Sequence, residues 1–221
     1  MTLLQPAPTA SLSVQMREGS RPQHDAAESS VFVEELMAGR VNEVGYVRYL
    51  TDLRAVYAAL EDISRRVADD PIAGPIVDSR LDRVAAIDAD LAFWSEGATQ
   101  FPAAGAAASS YADAIHATAA QPELLVAHHY TRYLGDLSGG QVIGRMLDRH
   151  FGLKDGEGTA FYRFEDIEKV KPYKDGYRER LDSLPVTSAQ QEAIVTEVQR
   201  SFTFNQAIFA ELGQDLESYL R

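Results

Sequence analysis

An all-α fold is predicted for this chain, on three observations. Apolar residues recur at three- and four-residue spacing over most of its 221 residues, the repeat of a single helix face. No run of about four to eight residues alternates apolar with polar, as a half-buried strand would. No internal repeat of about 20–50 residues appears, so neither a solenoid nor a propeller is implied.

The elements follow in order. Near the N-terminus, Pro22 removes one helical hydrogen bond, so a helix reaching it has to restart there. Residues 43–68 carry Tyr46, Leu50, Leu53, Tyr57, Leu60, Ile63 and Val67 on one stripe, with Asn42 as N-cap. After a breaker region from Pro71 to Pro75, Leu81, Val84, Ile87, Leu91 and Trp94 mark the next helix. A shorter one holds Tyr111, Ala114 and Ile115. Another follows Gln121-Pro122, proline being tolerated in a first turn. Residues 152–163, with Gly152, Gly156 and Gly158, read as a loop. Pro172 starts a short helix carrying Lys174 and Arg178. The last long helix begins near Thr187 or Ser188, with Ser188 and Gln191 as a capping box, and its stripe is Ile194, Val198, Phe202, Phe209, Leu212 and Leu216.

Composition narrows the function. A hydrophobic content of 45% suffices for one sizeable core, and the length suits a single domain. With 21 Lys+Arg against 33 Asp+Glu, the formal net charge is −12, which argues against general binding to nucleic acid or anionic membranes. The absence of cysteine excludes disulfides, iron–sulfur clusters and thiolate metal ligation. No signal peptide, apolar span or hydrophobic C-terminal tail is visible, so a soluble, cytoplasmic, monomeric protein without a membrane anchor is expected.

The segment from Leu124 to Gly144 reads as helix, yet contains Gly135, Gly139, Gly140 and Gly144. Each costs roughly 0.8–1.0 kcal/mol against alanine inside a helix. Gly135 and Gly139 share a face, as do Gly140 and Gly144. Two compensations are open: close helix–helix packing, or a flat, bulky ligand lying against a kinked backbone.

The residues themselves then point further. His128, Tyr130-Thr131-Arg132-Tyr133 and Leu134 through Gln141 closely resemble the signature segment of heme oxygenases, in particular the soluble bacterial, biliverdin-producing type. His24 with Glu28, Tyr173 through Arg178, and Phe202-Thr203-Phe204-Asn205 resemble further family segments. The likeness covers roughly residues 12–216, taken as the heme oxygenase domain, with a flexible N-terminus at 1–11 and a C-terminal tail at 217–221.

The resemblance implies a multi-helix fold with heme between a proximal and a kinked distal helix. Its implied reaction is oxidative cleavage of heme at the α-meso carbon to biliverdin, carbon monoxide and ferrous iron. Heme is both substrate and cofactor, and dioxygen is consumed. His24 matches the iron ligand, and Glu28, one turn on, is suited to orient the free ring nitrogen. Arg17, Tyr130, Lys174 and Arg178 match positions that hold the heme propionates, arginine at 17 standing where the family often has lysine. Asp136, Arg132, Tyr57 and Asn205 match a catalytic network that orders water beside dioxygen. Gly135, Gly139 and Gly140 bring backbone close to the heme. Phe202 and Phe209 are expected as pocket wall or plain core. His128 and His129 are expected to pack or hydrogen-bond, and His116 and His150 to be surface or helix-end residues.

Electrons have to come from outside. Gly156-Glu157-Gly158 lacks the third glycine and the strand–helix context of a dinucleotide site, so an external donor, a ferredoxin or a flavoprotein reductase, is implied. The competing readings are a non-catalytic heme carrier or storage protein, and a helical protein with no heme at all.

Overall fold

The computed structural model describes residues 10–96, 101–154 and 156–221; most of the predicted flexible N-terminus, residues 1–9, lies outside them. Among the described residues the chain is helical, and the one extended pairing is a bridge between Val41 and Leu220.

The N-terminal third forms α1 (Leu12–Gly19), α2 (Arg21–Glu28), α3 (Val31–Met37) and the long α4 (Glu43–Arg66). The break at Ser20, one residue before α2, agrees with Pro22, which sits at the second position of α2 where its missing N–H costs nothing. The Asn42 side chain accepts from Gly45 N at 3.0 Å, capping α4 as its sequence predicts. Then come α5 (Val84–Trp94), α6 (Ala106–Ala117) and α7 (Pro122–His129). Leu81 falls in a separate 3-10 turn before α5.

Two distant carboxylates cap helices that lack a cap of their own. Glu61 of α4 accepts the N–H groups of Arg83 (2.6 Å) and Val84 (2.8 Å) at the start of α5. Glu211 accepts those of Ala106 (3.1 Å) and Ala107 (2.6 Å) at the start of α6. Each places a negative charge where a helix exposes free donors.

The C-terminal half contains α8 (Gln141–Phe151), α9 (Val170–Asp182), α10 (Ser188–Gln214) and α11 (Leu216–Tyr219). Two details differ from the sequence reading. α9 begins at Val170, so Pro172 stands third in its first turn, where N–H groups have no helical partner. The capping box of α10 is Thr187 with Gln190, one residue earlier than Ser188 with Gln191. Residues 187, 188, 190 and 191 offer both pairs, and the first is the one formed. The segment after 216 lies against the α3–α4 connection: Asn42 N donates to Tyr219 O (2.7 Å) and Arg221 N to Arg40 O (2.9 Å).

Helix α4 packs on α5, α6, α7 and α10, and its wholly buried Leu50, Val56, Tyr57, Leu60 and Ile63 form the centre of one continuous core. α10 runs along α1, α2, α3, α6 and α7. These two long helices form the frame on which the shorter elements are set.

Candidate active site

Between α7 and α8 the chain does not continue as α-helix. Two π-helical turns, Tyr130–Leu134 and Asp136–Gly140, fill the interval, where the sequence reads as a glycine-bearing helix expected to kink. Such turns widen a helix and shift its side chains around the axis. They border a cleft of about 350 Å³ that is also lined from α2, α3 and α10. Leu36, Leu134, Ile143, Phe161 and Phe202 give it mainly apolar walls.

The four glycines divide between the two compensations. A Cβ on Gly135 or Gly139 would meet nothing within 4 Å, and both residues are exposed to the cleft. Their bare backbone faces empty space. A Cβ on Gly144 would lie 2.8 Å from Tyr162 Cβ, and one on Gly140 3.4 Å from the same ring. Gly144 thus serves close packing, while Gly140 makes only ordinary contact there and also lines the cleft.

Asp136 sits beside this bare edge, at the centre of a buried cluster. The Tyr57 hydroxyl donates to Asp136 Oδ2. Arg132 donates to the Tyr57 oxygen through Nε (3.1 Å) and Nη2 (3.0 Å), and through Nη1 to Asn205 Oδ1 (2.5 Å). Arg132 Nη2 also lies 3.6 Å from Asp136 Oδ1. Burial pushes the Asp136 carboxyl above its ordinary value, while the Arg132 charge and the Tyr57 hydroxyl pull it back. Such an aspartate keeps a proton more readily than a surface one. Asp136, Arg132 and Asn205 line the cleft; Tyr57 does not, and reaches it only through Asp136 and Arg132.

His24 lies on the α2 side of the same cleft, its side chain 48% exposed. Nε2 is 3.5 Å from Glu28 Oε1 and Nδ1 3.4 Å from Asp25 Oδ1. The Phe202 ring stands edge-on to the imidazole, centroids 5.6 Å apart. Phe209 lines the cleft too. Among the described residues no group of three or more acidic or histidine side chains can hold a bare ion. A metal at His24 therefore has to bring most of its own ligands, as iron held in a macrocycle does. A mainly apolar cleft with one imidazole and a bare glycine edge fits such a group.

Cations stand at the cleft mouth. Arg17 and Arg178 line it with Tyr130, each arginine paired with a neighbour, Arg17 to Glu18 at 2.8 Å and Arg178 to Asp175 at 3.2 Å. Lys174 is not among the lining residues; its Nζ donates to Ser138 Oγ at 2.9 Å. Ser138 itself lines the cleft, so Lys174 stands one residue behind the wall, one turn from Arg178.

The other histidines have structural surroundings. His128 Nε2 is 2.9 Å from Glu197 Oε1, and His129 Nδ1 2.8 Å from the Tyr177 hydroxyl. Burial lowers the His129 pKa to about 3, which keeps it neutral. His116 lies in the last turn of α6 and His150 in that of α8. Gly156 and Gly158 adopt positive φ in a turn packed on Arg163 and on Phe93, and Trp94 Nε1 donates to Gly158 O at 2.8 Å. This turn is a structural one.

Sequence reasoning missed Tyr49, Phe161 and Tyr162, which also line the cleft. Tyr49 lies on α4 between the stripe residues Tyr46 and Leu53, and the other two lie in a stretch read as loop. Paired aromatics in a glycine-bearing loop were the available signal.

The family model for heme oxygenase matches residues 10–211. Heme oxygenase 1 of Synechocystis sp. is 39% identical over 210 residues, covering 94% of this chain and 87% of that protein. Heme oxygenase of Rhodella violacea is 37% identical over 210 residues, covering 92% of this chain and 88% of that protein. The crystal structure of the Synechocystis heme oxygenase-1 in complex with heme superposes with a TM-score of 0.89 at 38% identity, covering 95% of both chains. Heme oxygenase from Leptospira interrogans gives 0.87 at 37% identity, covering 91% of this chain and all of the other. The chain belongs to the heme oxygenase family.

Proposed function

We propose that this protein cleaves heme oxidatively at the α-meso carbon, yielding biliverdin, carbon monoxide and ferrous iron. The observation that carries the reading is the bare Gly135–Gly139 edge facing a cleft that also holds His24 and Asp136. A heme carrier needs the slot and the ligand, but has no use for a buried aspartate, its pKa raised by burial, tied into a polar network beside them.

Bound heme supplies the iron at which dioxygen is reduced and the meso carbon that is oxidised. The chain does the rest. His24 would hold the iron of a bound heme, with Glu28 one turn away to orient the imidazole. Gly135 and Gly139, with no side chains there, would let a flat group lie close against the backbone. Asp136, with its raised pKa, holds and passes protons through water, and Tyr57, Arg132 and Asn205 fix its orientation. No acidic side chain has to touch the reacting oxygen. Apolar walls from Leu134 and Phe202 exclude bulk water. With no cysteine and no dinucleotide motif in the chain, electrons come from a separate redox protein, a ferredoxin or a flavoprotein reductase.

Heme is nearly symmetric about one in-plane axis, so its propionates are the handles that set its rotation. Arg17, Tyr130 and Arg178 at the mouth supply charge-assisted partners for them, and Lys174 joins by exchanging its Ser138 contact for a propionate. Hemin titration followed by reduction in air, with chromatography of the extracted pigment, tests the whole reading. α-Biliverdin is expected; intact heme after reduction, or a dominant non-α isomer, would overturn it. Lys174→Ala combined with Arg178→Ala is expected to raise the β or δ isomer.

A further inference from the structure

Helix α2 carries the candidate iron ligand, yet little holds it. It has eight residues, too few to be stable alone, and it follows a break. At the break Ser20 O still accepts from His24 N at 3.0 Å, but Pro22, which has no N–H, cannot supply the i+4 donor to Glu18 O. The helix it packs against most is α10.

Helix α10 presents a stripe toward α1 and α2 at residues 199, 202, 206 and 209, the three-four-three spacing of one face. Its members alternate. Phe202 and Phe209 are cleft wall. Gln199 and Gln206 are neither wall nor core. Gln199 Nε2 donates to the Gly19 carbonyl at 2.7 Å, across 180 residues of chain. Gln206 Nε2 donates to the Gln23 carbonyl at 2.8 Å, across 183. Gly19 permits the approach, since a Cβ there would lie 2.7 Å from Val195 Cγ1. Both glutamines thus hold main-chain oxygens on either side of the break, and Gln23 is the residue next to His24.

The neighbouring residue completes the picture. Asn205 receives Arg132 Nη1 and so holds the network on the π-helical side, while Gln206 holds the backbone on the α2 side. Consecutive positions of one rigid helix reach the two walls of the cleft.

We propose that Gln206, assisted by Gln199, is the positioning residue for His24: it fixes the α2 backbone to α10 and thereby sets the height of the imidazole relative to the cleft. This rests on His24 as the iron ligand. Side-chain-to-main-chain bonds of this kind suit the task, because they fix the backbone and leave the imidazole free to turn toward its ligand.

The test compares Gln206→Met, which keeps the side-chain length without the donor, with Gln206→Lys, which restores a donor. Gln206→Asn, too short to reach, repeats the first comparison should methionine disturb packing. In the ligand-free full chain, amide exchange of residues 24–28 is expected to quicken roughly three- to tenfold in Gln206→Met, the effect of one hydrogen bond on local opening. It should return near wild type in Gln206→Lys. With hemin bound and reduced, the iron–histidine stretching band in resonance Raman should shift or broaden in Gln206→Met and recover in Gln206→Lys. Unchanged exchange and an unchanged band in both Gln206→Met and Gln206→Asn overturn the tether. So does exchange that quickens equally throughout the chain, the mark of general loosening. His24→Ala separates the two levels. Survival of the band there removes His24 as ligand and the positioning role with it. Its loss there, with no effect of Gln206→Met, overturns the tether alone.

Discussion

Asp136 and Arg132 are legible as a pair from spacing alone, four residues apart on one helix. Their partners are not. Tyr57 and Asn205 lie 79 and 73 residues away from the groups they touch, and only the packing of α4 and α10 brings them in. The resemblance of short motifs named them; no periodicity did. The cluster is buried and charged, so each member depends on the others. Replacing Arg132 by Met leaves the Asp136 carboxylate without its counter-charge, a loss of about 3–5 kcal/mol for a broken buried pair. Denaturant unfolding should show that loss, and Arg132→Met with Asp136→Asn should recover part of it. A loss in the double variant equal to the sum of the losses in Arg132→Met and Asp136→Asn would mean that the two charges do not interact. Asp136→Asn alone should bind hemin much as wild type does, yet yield little biliverdin, because it keeps the shape and loses the titrating proton.

At the scale of elements, the helices with strong stripes are readable and the departures from α-geometry are not. α4, α5 and α10 follow from their 3-4 spacing, and Asn42 from its capping chemistry. The π-helical turns at Tyr130–Leu134 and Asp136–Gly140 leave no trace in the hydrophobic pattern, because an extra residue per turn is set by what the helix packs against. The same limit hides the Thr187 cap, since residues 187–191 hold two equivalent pairs. The glycines carry the strongest local signal, and their two roles separate by experiment. Gly144→Ala drives a methyl group to 2.8 Å from Tyr162 Cβ, so it should destabilise the fold by about 1–3 kcal/mol. Gly139→Ala meets open space and should leave the melting temperature nearly unchanged, or raise it slightly through helix propensity. It should still weaken hemin binding, because the new methyl group projects into the cleft. Thermal melts and hemin titrations on both variants decide this. Equal destabilisation by the two substitutions would count against the division.

For the molecule as a whole, the long helices act through carboxylates as well as through apolar faces. Glu61 and Glu211 cap α5 and α6 from a distance, and Asp90 of α5 does the converse. Its two oxygens accept the N–H groups of Ala160 (2.7 Å) and Phe161 (2.8 Å), fastening the stretch that supplies Phe161 and Tyr162 to the cleft. Asp90 is fully buried. Burial pushes its carboxyl up to about 6, against the pull of those two backbone donors. In the unfolded chain it titrates near its ordinary value of 3.8. Below about pH 4 it is protonated in both states and contributes no pH dependence. Between about 4 and 6 the folded state binds the extra proton, so stability falls as pH rises, and above about 6 the cost of the buried charge is present in full. A shift of about two pH units corresponds to about 3 kcal/mol. Asp90→Asn carries no such charge, and its loss of one acceptor is independent of pH. Its stability relative to wild type should therefore rise by up to about 3 kcal/mol between pH 4 and pH 7, measured by urea unfolding across that range. Other carboxylates of this strongly acidic chain titrate over the same interval, but they are common to both proteins and cancel in the difference. A difference that stays constant with pH would show that Asp90 ionises in the fold as it does in the open chain.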